Sequence, residues 1–295
     1  MTGFPGRPRR AKVVGSYWNR ATMAEHHAHS PLDHVVDNTF LEFPWGNLGP
    51  LPRVPLGPLG FQITRFMVME LVAAGLVAAI VIPLARHAAK HPVTRGGFLN
   101  AFEAMVLFIR DGVARPAIGG HGADAFLPYL LTVFFFVLFN NVLGMVPGGA
   151  SATGNINVTF VLAIMTFVVV LAAGMKAMGP VGFWIGIVPK LDVPWFLKLV
   201  LWPLLWTIEV AGLLIRHFVL AVRLFANMLA GHIVLAVILG FILAVQGTRA
   251  FYFVMPASIA GVVALSLLEL FVAFLQAYIF TFLSALFIGS AAHPH

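Results

Sequence analysis

Long apolar segments, separated by short polar ones, make up most of the chain after residue 60. A helix needs about 20 apolar residues to cross the hydrocarbon core of a bilayer. Alternating strands of about ten residues, which would indicate a membrane barrel, are not seen. The pattern predicts an all-α fold, a polytopic membrane protein with five membrane segments. These segments are 62–84, 126–146, 158–174, 199–246 and 251–288.

A shorter segment, 97–114, is predicted to be an amphipathic helix in the membrane interface. Aromatic and aliphatic residues recur at helical spacing along one side, from Phe98 to Ile109, while Arg110 and Asp111 lie on the other side. A helix with one apolar and one charged face lies along a membrane surface rather than across it.

Composition supports this class and narrows the possible functions. Hydrophobic residues make up 60% of the 295 residues and charged residues only 10%, which is typical of a membrane protein. Cysteine is absent, which excludes disulfides, thiolate metal sites and a cysteine nucleophile. The net charge of +7 comes mostly from loops and the N-terminal tail, so we interpret it as a topology signal and expect no nucleic acid partner. No phosphate-binding loop motif is present, so we do not expect an enzyme that hydrolyses ATP by itself.

Residues 1–60 form a polar N-terminal tail, and residues 61–295 are predicted to form a single membrane domain. Residues 1–22 are rich in arginine and contain no acidic residue, and no apolar core follows them. They are therefore not a secretory signal. They are either a transit peptide or an upstream extension of a chain that starts at Met23, and we favour the extension.

Two further features of this tail bear on its function and structure. A histidine cluster could bind a metal, but its spacing selects no coordination geometry, so a solvated flank is the favoured interpretation and we expect no metal and no cofactor. The cluster consists of His26, His27, His29 and His34. The prolines of residues 44–60 predict an extended, irregular approach to the membrane.

Loop charge predicts the orientation of the chain. The loops after the first and third spans carry lysine and arginine, whereas the loop after the second span is uncharged. Basic loops stay on the cytoplasmic side, so the N-terminus is expected outside and the C-terminus in the cytoplasm. We expect a bacterial inner membrane; the alternative is a mitochondrial inner membrane, with the basic loops in the matrix.

The segment 199–246 contains charged residues that are expensive in a bilayer. Glu209, Arg216 and Arg223 follow one another at a spacing of seven, which places them along one stripe of a helix. Such groups are rare in membrane segments and are usually functional. Asn227 lies one turn beyond Arg223, while His232 lies about half a revolution away at ~100° per residue.

The same segment is too long to stand upright in a membrane. A helix of 48 residues is about 70 Å long, whereas the hydrocarbon core is about 30 Å thick. Either the helix breaks near Pro203 and Gly212, or it is steeply inclined. No proline occurs between Pro203 and Pro256, which favours a steep tilt of a continuous helical hairpin.

Polar residues in the last two segments match each other across this hairpin. In an antiparallel hairpin, facing residues have a nearly constant sum of residue numbers, and Arg223 with Gln276 gives almost the same sum as His232 with Glu269. The hairpin therefore predicts both pairs. The alternative is that these are isolated polar pairs that only hold the helices together.

Arg223 limits the role that this helix can have in proton transfer. A guanidinium stays protonated in proteins, so it cannot hand protons on, and in lipid it needs a carboxylate partner. Its predicted neighbour Gln276 is neutral, which suggests that the missing carboxylate belongs to another subunit. Glutamate and histidine titrate readily and suit a proton path.

Several motifs resemble one membrane protein family. Residues 221–232, with the sequence AVRLFANMLAGH, are similar to the motif of subunit a of F-type ATP synthases. Residues 275–280 resemble a segment of the last helix of that subunit. Residues 155–159 and 128–147, which include Asn140 and Asn141, resemble its middle hairpin. The resemblance covers roughly residues 30 to 290, and the arginine-containing motif is highly specific.

This resemblance implies a proton-translocating stator subunit with two half-channels. Arg223 would face the rotating c-ring, attract the ionised carboxylate of each c subunit and block a direct proton leak. Asn227 and Gln276 match polar positions beside it, and Glu209 matches an acidic position associated with proton access. The implied partners are the c-ring, the b subunits of the peripheral stalk and the lipid bilayer.

The sequence departs from many members of that family at two places. His232 and Glu269 match a polar pair that many bacterial members carry as glutamate and histidine in the opposite order, whereas here the order is that of mitochondrial-type sequences. Either order gives one titratable pair across the hairpin. Ala226 stands where many members have glycine, which a helix tolerates.

The sequence also allows two alternative functions and two interpretations of a pair of asparagines. A proton-coupled secondary transporter should show an inverted repeat with broken helices, but no repeat is seen and the intramembrane charges fall in one half of the chain. A haem-binding subunit would use His217 and His232, but these are fifteen residues apart on one helix. Asn140 and Asn141 could either bond neighbouring helices or line a water path.

Overall fold

The structure is a computed structural model that describes residues 40–43, 46–50, 53–56, 59–90, 96–146, 151–188 and 194–292. The arginine-rich start of the chain and the histidine cluster lie outside these residues, so their interpretation stays a prediction. Two short antiparallel hairpins precede the helices, formed by β1 (Phe40–Phe43) with β2 (Gly46–Pro50) and β3 (Arg53–Leu56) with β4 (Leu59–Gln62). The described residues of the proline-rich approach are therefore extended, as predicted, but more regular than expected.

Eight helices make up the rest of the described chain. They are α1 (Arg65–Lys90), α2 (Gly97–Ile109), α3 (Arg115–Ile118), α4 (Gly120–Met145), α5 (Ile156–Met178), α6 (Pro180–Gly186), α7 (Trp195–Ala244) and α8 (Phe251–Ala292). Five of these, namely α1, α4, α5, α7 and α8, are long and apolar enough to cross a membrane. The predicted all-α polytopic fold with five membrane segments is confirmed.

The predicted interfacial helix is longer than expected. A π-helical turn, Arg110–Ala114, joins α2 to α3, so that helical structure continues to Ile118. Arg110 and Asp111 lie on the polar side and form ion pairs with Asp124 (3.1 Å) and Arg115 (2.7 Å). On the apolar side Ile109 is fully buried whereas Phe98 is 67% exposed, so only part of this face packs against the bundle. This helix is not among the five candidate spans.

The ends of two helices differ from the sequence interpretation. Helix α4 begins at Gly120, six residues before the predicted start of the second span, after Gly119 with a φ of 92°. Helix α6 lies in the basic loop predicted after the third span. Pro180 occupies its first turn, where the missing N–H costs nothing and the fixed φ favours a helix.

The long C-terminal hairpin consists of two continuous helices. Helix α7 has 50 residues and α8 has 42, and Pro203 and Pro256 lie inside them without a break. The alternative of a break near Pro203 and Gly212 is therefore wrong. At 1.5 Å per residue α7 is about 75 Å long, so an apolar helix of this length must be steeply inclined to stay in a bilayer about 30 Å thick.

The core lies where α4, α5, α7 and α8 meet, and its largest fully buried side chains include Phe134, Phe280, Leu220 and Leu224. The C-terminal part of α8 also packs against α3. A Cβ atom added at Gly289 would overlap the backbone carbonyl oxygen of Ala117. This glycine therefore lets the backbone of α8 contact the backbone of α3, at the end of the interfacial helix.

We predict that Gly289→Ala separates α3 from α8 and lowers the stability of the chain. The clash is with backbone rather than with a flexible side chain, and overpacking of this kind costs about 1–3 kcal/mol. The measurement is the midpoint of thermal unfolding of the purified chain in detergent. Gly75→Ala is the matched control, because a Cβ at Gly75 meets no atom within 4 Å. Equal midpoints for the two variants would contradict the prediction.

Candidate functional site

Arg223 lies on the outer side of α7. Leu220, Leu224 and Met228 of the same helix are buried against the other helices, and this packing turns Arg223 away from the bundle. Arg223 is exposed, and within the described part of the chain it forms no hydrogen bond and no ion pair. The structure thus presents a permanent positive charge on an open apolar helix face.

Asn227 connects this face to the inside of the hairpin. Its Nδ2 donates a hydrogen bond of 3.2 Å to Oε1 of Gln276 on α8, and Gln276 is only 2% exposed. The register argument paired Gln276 with Arg223, but the structure pairs it with the residue one turn further on. The two helices still meet at the predicted level, because Asn227 and Arg223 lie one turn apart on the same side of α7.

Glu269 is buried against the segment that contains His232. A Cβ atom added at Gly231 would lie 2.6 Å from Oε1 and 3.1 Å from Cδ of Glu269, so the carboxyl group rests on the backbone of α7 where no side chain intervenes. Glu269 is 6% exposed, and its Oε1 accepts no hydrogen bond from any described residue. The structure therefore brings Glu269 to the residue beside His232, as the hairpin register predicts.

Glu209 occupies a separate place. It lies fourteen residues before Arg223, about 21 Å away along the helix axis. Glu209 and Arg216 line a cavity of about 360 Å³, together with residues from the C-terminal ends of α5 and α8 and from α6. The predicted site residues thus lie in two places. One group surrounds the middle of the hairpin of α7 and α8, whereas Glu209 lines a cavity toward the open end of the hairpin, away from its turn.

A chain of polar groups that the sequence interpretation missed leads to the hairpin centre. Ser151 and Thr153 hydroxyls lie 2.7 Å apart, and Thr153 donates to Oδ1 of Asn141 at 2.7 Å. Asn141 in turn donates to the carbonyl oxygen of Ala273, which lies about one turn from both Glu269 and Gln276. Ser151 and Thr153 were part of a segment interpreted only as an uncharged turn.

The two asparagines of α4 have different environments. Asn141 bonds a neighbouring helix, one of the two interpretations left open. Asn140 Nδ2 donates to the carbonyl oxygen of Phe136 on its own helix, while its buried Oδ1 has no hydrogen-bond partner in the described residues. A buried acceptor of this kind suits a polar path as well as a helix contact.

His217 and His232 do not form a common site. They are separated by fifteen residues on a continuous helix, which is about 22 Å along its axis. His217 is packed between the rings of Phe167 and Phe287. Two axial ligands must approach one haem iron from opposite faces, so this spacing excludes a haem held by this pair.

The fold and the site define a class: a polytopic helical membrane protein with charged groups along one long inclined hairpin. Comparison with known proteins places the chain within that class. Residues 67–289 match the family model described as ATP synthase A chain. The chain therefore belongs to the ATP synthase A chain family.

Similar proteins agree with this assignment. ATP synthase subunit a of Chloroherpeton thalassium is 41% identical over 262 residues, covering 88% of this chain and 75% of that protein. ATP synthase subunit a of Myxococcus xanthus is 45% identical over 246 residues, covering 83% and 78%. ATP synthase subunit a 2 of Prosthecochloris aestuarii is 42% identical over 266 residues, covering 88% and 78%. The predicted resemblance is confirmed, and these relatives come from bacteria.

We predict that cysteines at Gly231 and Glu269 form a disulfide under mild oxidation. A Cβ at Gly231 would lie 3.6 Å from Cγ of Glu269, the atom whose place Sγ of a cysteine takes, so the two introduced sulfur atoms can approach bonding distance. Native cysteine is absent, so any cross-link must come from the introduced pair. The readout is the loss of maleimide labelling after oxidation.

The control pair combines Gly240→Cys with Glu269→Cys. A Cβ at Gly240 meets no atom within 4 Å, and this residue lies nine positions further along α7. Protection from labelling in the control pair but not in the Gly231 pair would show that the hairpin has a different register.

Proposed function

We propose that this chain is the proton-translocating subunit a of an F-type ATP synthase, which forms two half-channels at the c-ring interface and couples proton flow to ring rotation through Arg223. The observation that carries this proposal is the exposed Arg223 on α7, which has no ion-pair partner among the described residues. The chain is a non-catalytic membrane component of the complex, since it has no phosphate-binding loop motif.

The face around Arg223 suits a rotating partner. Ala226 and Ala230 are exposed on the same side of α7 as Arg223 and Asn227. Small side chains allow a second helix to approach closely, as in other membrane helix contacts. An ionised carboxylate on a c subunit would be attracted to Arg223, while a neutral carboxylic acid would be free to enter the lipid. This difference in charge means that a carboxyl group leaves Arg223 for the lipid only after it is protonated.

One half-channel is assigned to the end of the hairpin that contains His232. The polar chain of Ser151, Thr153 and Asn141 lies next to α8 there, and it reaches the level between Glu269 and Gln276. Glutamate and histidine exchange protons at accessible pH. Because this end adjoins the uncharged loop after α4, the positive-inside rule assigns it to the outer side of the membrane.

The other half-channel is assigned to the Glu209 cavity. Its lining includes Met178, Gly186 and Ala291, which lie beside the basic loop after α5 and near the C-terminus. The same charge rule assigns this end to the cytoplasm. Arg223 lies between the two regions along α7, where a permanent cation opposes the passage of a free proton.

The partners and the location follow from this assignment. The proposed partners are the c-ring, the b subunits of the peripheral stalk and lipid, in a bacterial inner membrane with the N-terminus outside. A stand-alone secondary transporter would have to pair Arg223 within its own chain, and the described residues offer no carboxylate next to it. The assignment to a rotary complex supplies that carboxylate from another subunit.

Arg223→Ala is predicted to abolish coupled proton transport. Without the guanidinium, no charge stabilises the ionised c-ring carboxylate or separates the half-channels. The measurement is ATP-driven acidification of inverted membrane vesicles, which should fall to background. Arg249→Ala is the control: this arginine is exposed in the turn between α7 and α8, and its loss should leave acidification unchanged. Coupled transport that persists in Arg223→Ala would overturn the assignment.

A second prediction tests which face of α7 meets the ring. A cysteine at Asn227, paired with a cysteine beside the ion-binding carboxylate of the c subunit, should form a cross-link between subunits. A cysteine at Leu224 should not, because Leu224 is 0% exposed and points into the bundle. The readout is a heterodimer band on a non-reducing gel. Cross-linking from Leu224 alone would mean that α7 presents a different face to the ring.

A further inference from the structure

His217 is a buried titratable side chain that the half-channels proposed above do not use. It is only 4% exposed on α7. Its Nδ1 lies 2.8 Å from the carbonyl oxygen of Leu213, one turn earlier. A carbonyl oxygen only accepts hydrogen bonds, so Nδ1 carries the proton and the neutral ring keeps its basic lone pair on Nε2. Nε2 is buried and has no hydrogen-bond partner among the described residues.

The imidazole ring lies directly behind the wall of the Glu209 cavity. Leu213, whose carbonyl group binds Nδ1, lines this cavity. Phe287 also lines it, and the centroid of its ring lies 5.0 Å from that of His217. On the α5 side, the ring of Phe167 meets His217 edge to face at a centroid distance of 5.1 Å. The cavity and the base are thus separated by one layer of side chains.

The unpartnered Nε2 of His217 is not explained by packing alone. Buried polar atoms without partners cost free energy, and a phenyl ring would fill the same space without that cost. The position of Nε2 therefore favours a role that uses this nitrogen as a proton acceptor.

Two charged side chains of α7 lie near His217 in the sequence. They are Arg216, the adjacent residue, and Glu209, about two turns earlier. The elements packed against the ring offer no further charge close to it in the described residues: α8 contributes Phe287 and the hydroxyl of Ser290, and Lys176 of α5 is exposed. Tyr129 is hydrogen-bonded to Thr166, beside Phe167.

We propose that His217 is a proton-accepting residue of the half-channel that Glu209 lines. A proton that crosses the layer of Leu213 and Phe287 from the cavity forms an N–H bond at Nε2, and the ring becomes an imidazolium that still donates from Nδ1 to Leu213. The reverse step breaks the same N–H bond and releases the proton toward the level of Arg223, six residues and about 9 Å further along α7. No other bond changes. This inference rests on the proposed function.

The test uses the whole ATP synthase complex in inverted vesicles, in which the cytoplasmic side faces the medium. The initial rate of ATP-driven acidification is measured while the external pH is varied from about 5.5 to about 8, the range in which histidine titrates. His217→Gln keeps a hydrogen-bonding side chain but removes the base. We expect its rate to be close to that of the wild type at about pH 5.5 and reduced about fivefold at about pH 8. At the higher pH protons are scarce, so the loss of a residue that accepts and holds a proton has its largest effect.

Phe167→Leu is the matched control, because it disturbs the packing of the same ring and leaves the base in place. Its rate should fall by one constant factor at every pH. A constant factor for His217→Gln as well would overturn the inference and assign His217 a packing role. His217→Asn is a second variant in case the first does not assemble, and failure of both to assemble would also establish a packing role.

The outcome is separable from that of the proposed function. If Arg223→Ala abolishes acidification while His217→Gln keeps the wild-type pH profile, only the role of His217 is wrong. If Arg223→Ala retains acidification, the proposed function is wrong, whatever the profile of His217→Gln.

Discussion

The free energy of a guanidinium in hydrocarbon is the constraint on which the rest of this structure depends. An arginine at the centre of a membrane helix costs about 2.5–3.5 kcal/mol by insertion measurements, a sizeable part of the about 5–15 kcal/mol that stabilises a typical domain. The described residues do not relieve this cost, because Arg223 points away from the bundle and the buried carboxyl group of Glu269 rests on Gly231. Under the proposed function, the carboxylate that neutralises this charge comes from a partner subunit.

Most of the architecture could be predicted because lipid allows few backbone solutions. Every membrane-crossing segment must satisfy its own hydrogen bonds, so hydropathy alone identified all five long helices. Local features were harder to predict from the sequence. The start of α4 after Gly119, the short helix α6 and the strand pairing within 40–62 depend on single turns, and such turns leave only a weak trace in hydropathy. The alternative break near Pro203 was wrong, because a membrane helix can absorb a proline when its neighbours compensate for the lost hydrogen bond.

The candidate site was visible in the sequence because each polar residue stands out against an apolar background. The pairing across the hairpin was predicted less well. A constant sum of residue numbers ignores the phase of each helix and the tilt of side chains toward the N-terminus, and this is why Gln276 meets Asn227 instead of Arg223. The hydrogen bonds of Ser151 and Thr153 could not be predicted, because the polar residues of a turn and those of a polar path are of the same types. The environment of His217 depends on rings from two other helices, which no spacing within α7 could reveal.

The backbone contact at Gly289 has a mechanical consequence. Under the proposed function, a carboxylate drawn past Arg223 would push α7 sideways, and the hydrogen bond between Asn227 and Gln276 would pass this load to α8. Helix α8 is held near its end by direct contact with the carbonyl group of Ala117. A contact between backbones deforms less than one between flexible side chains, so the end of the interfacial helix is a rigid support for α8. Under that proposal, a side chain as small as that of Gly289 is what allows the backbone contact that limits the bending of α8.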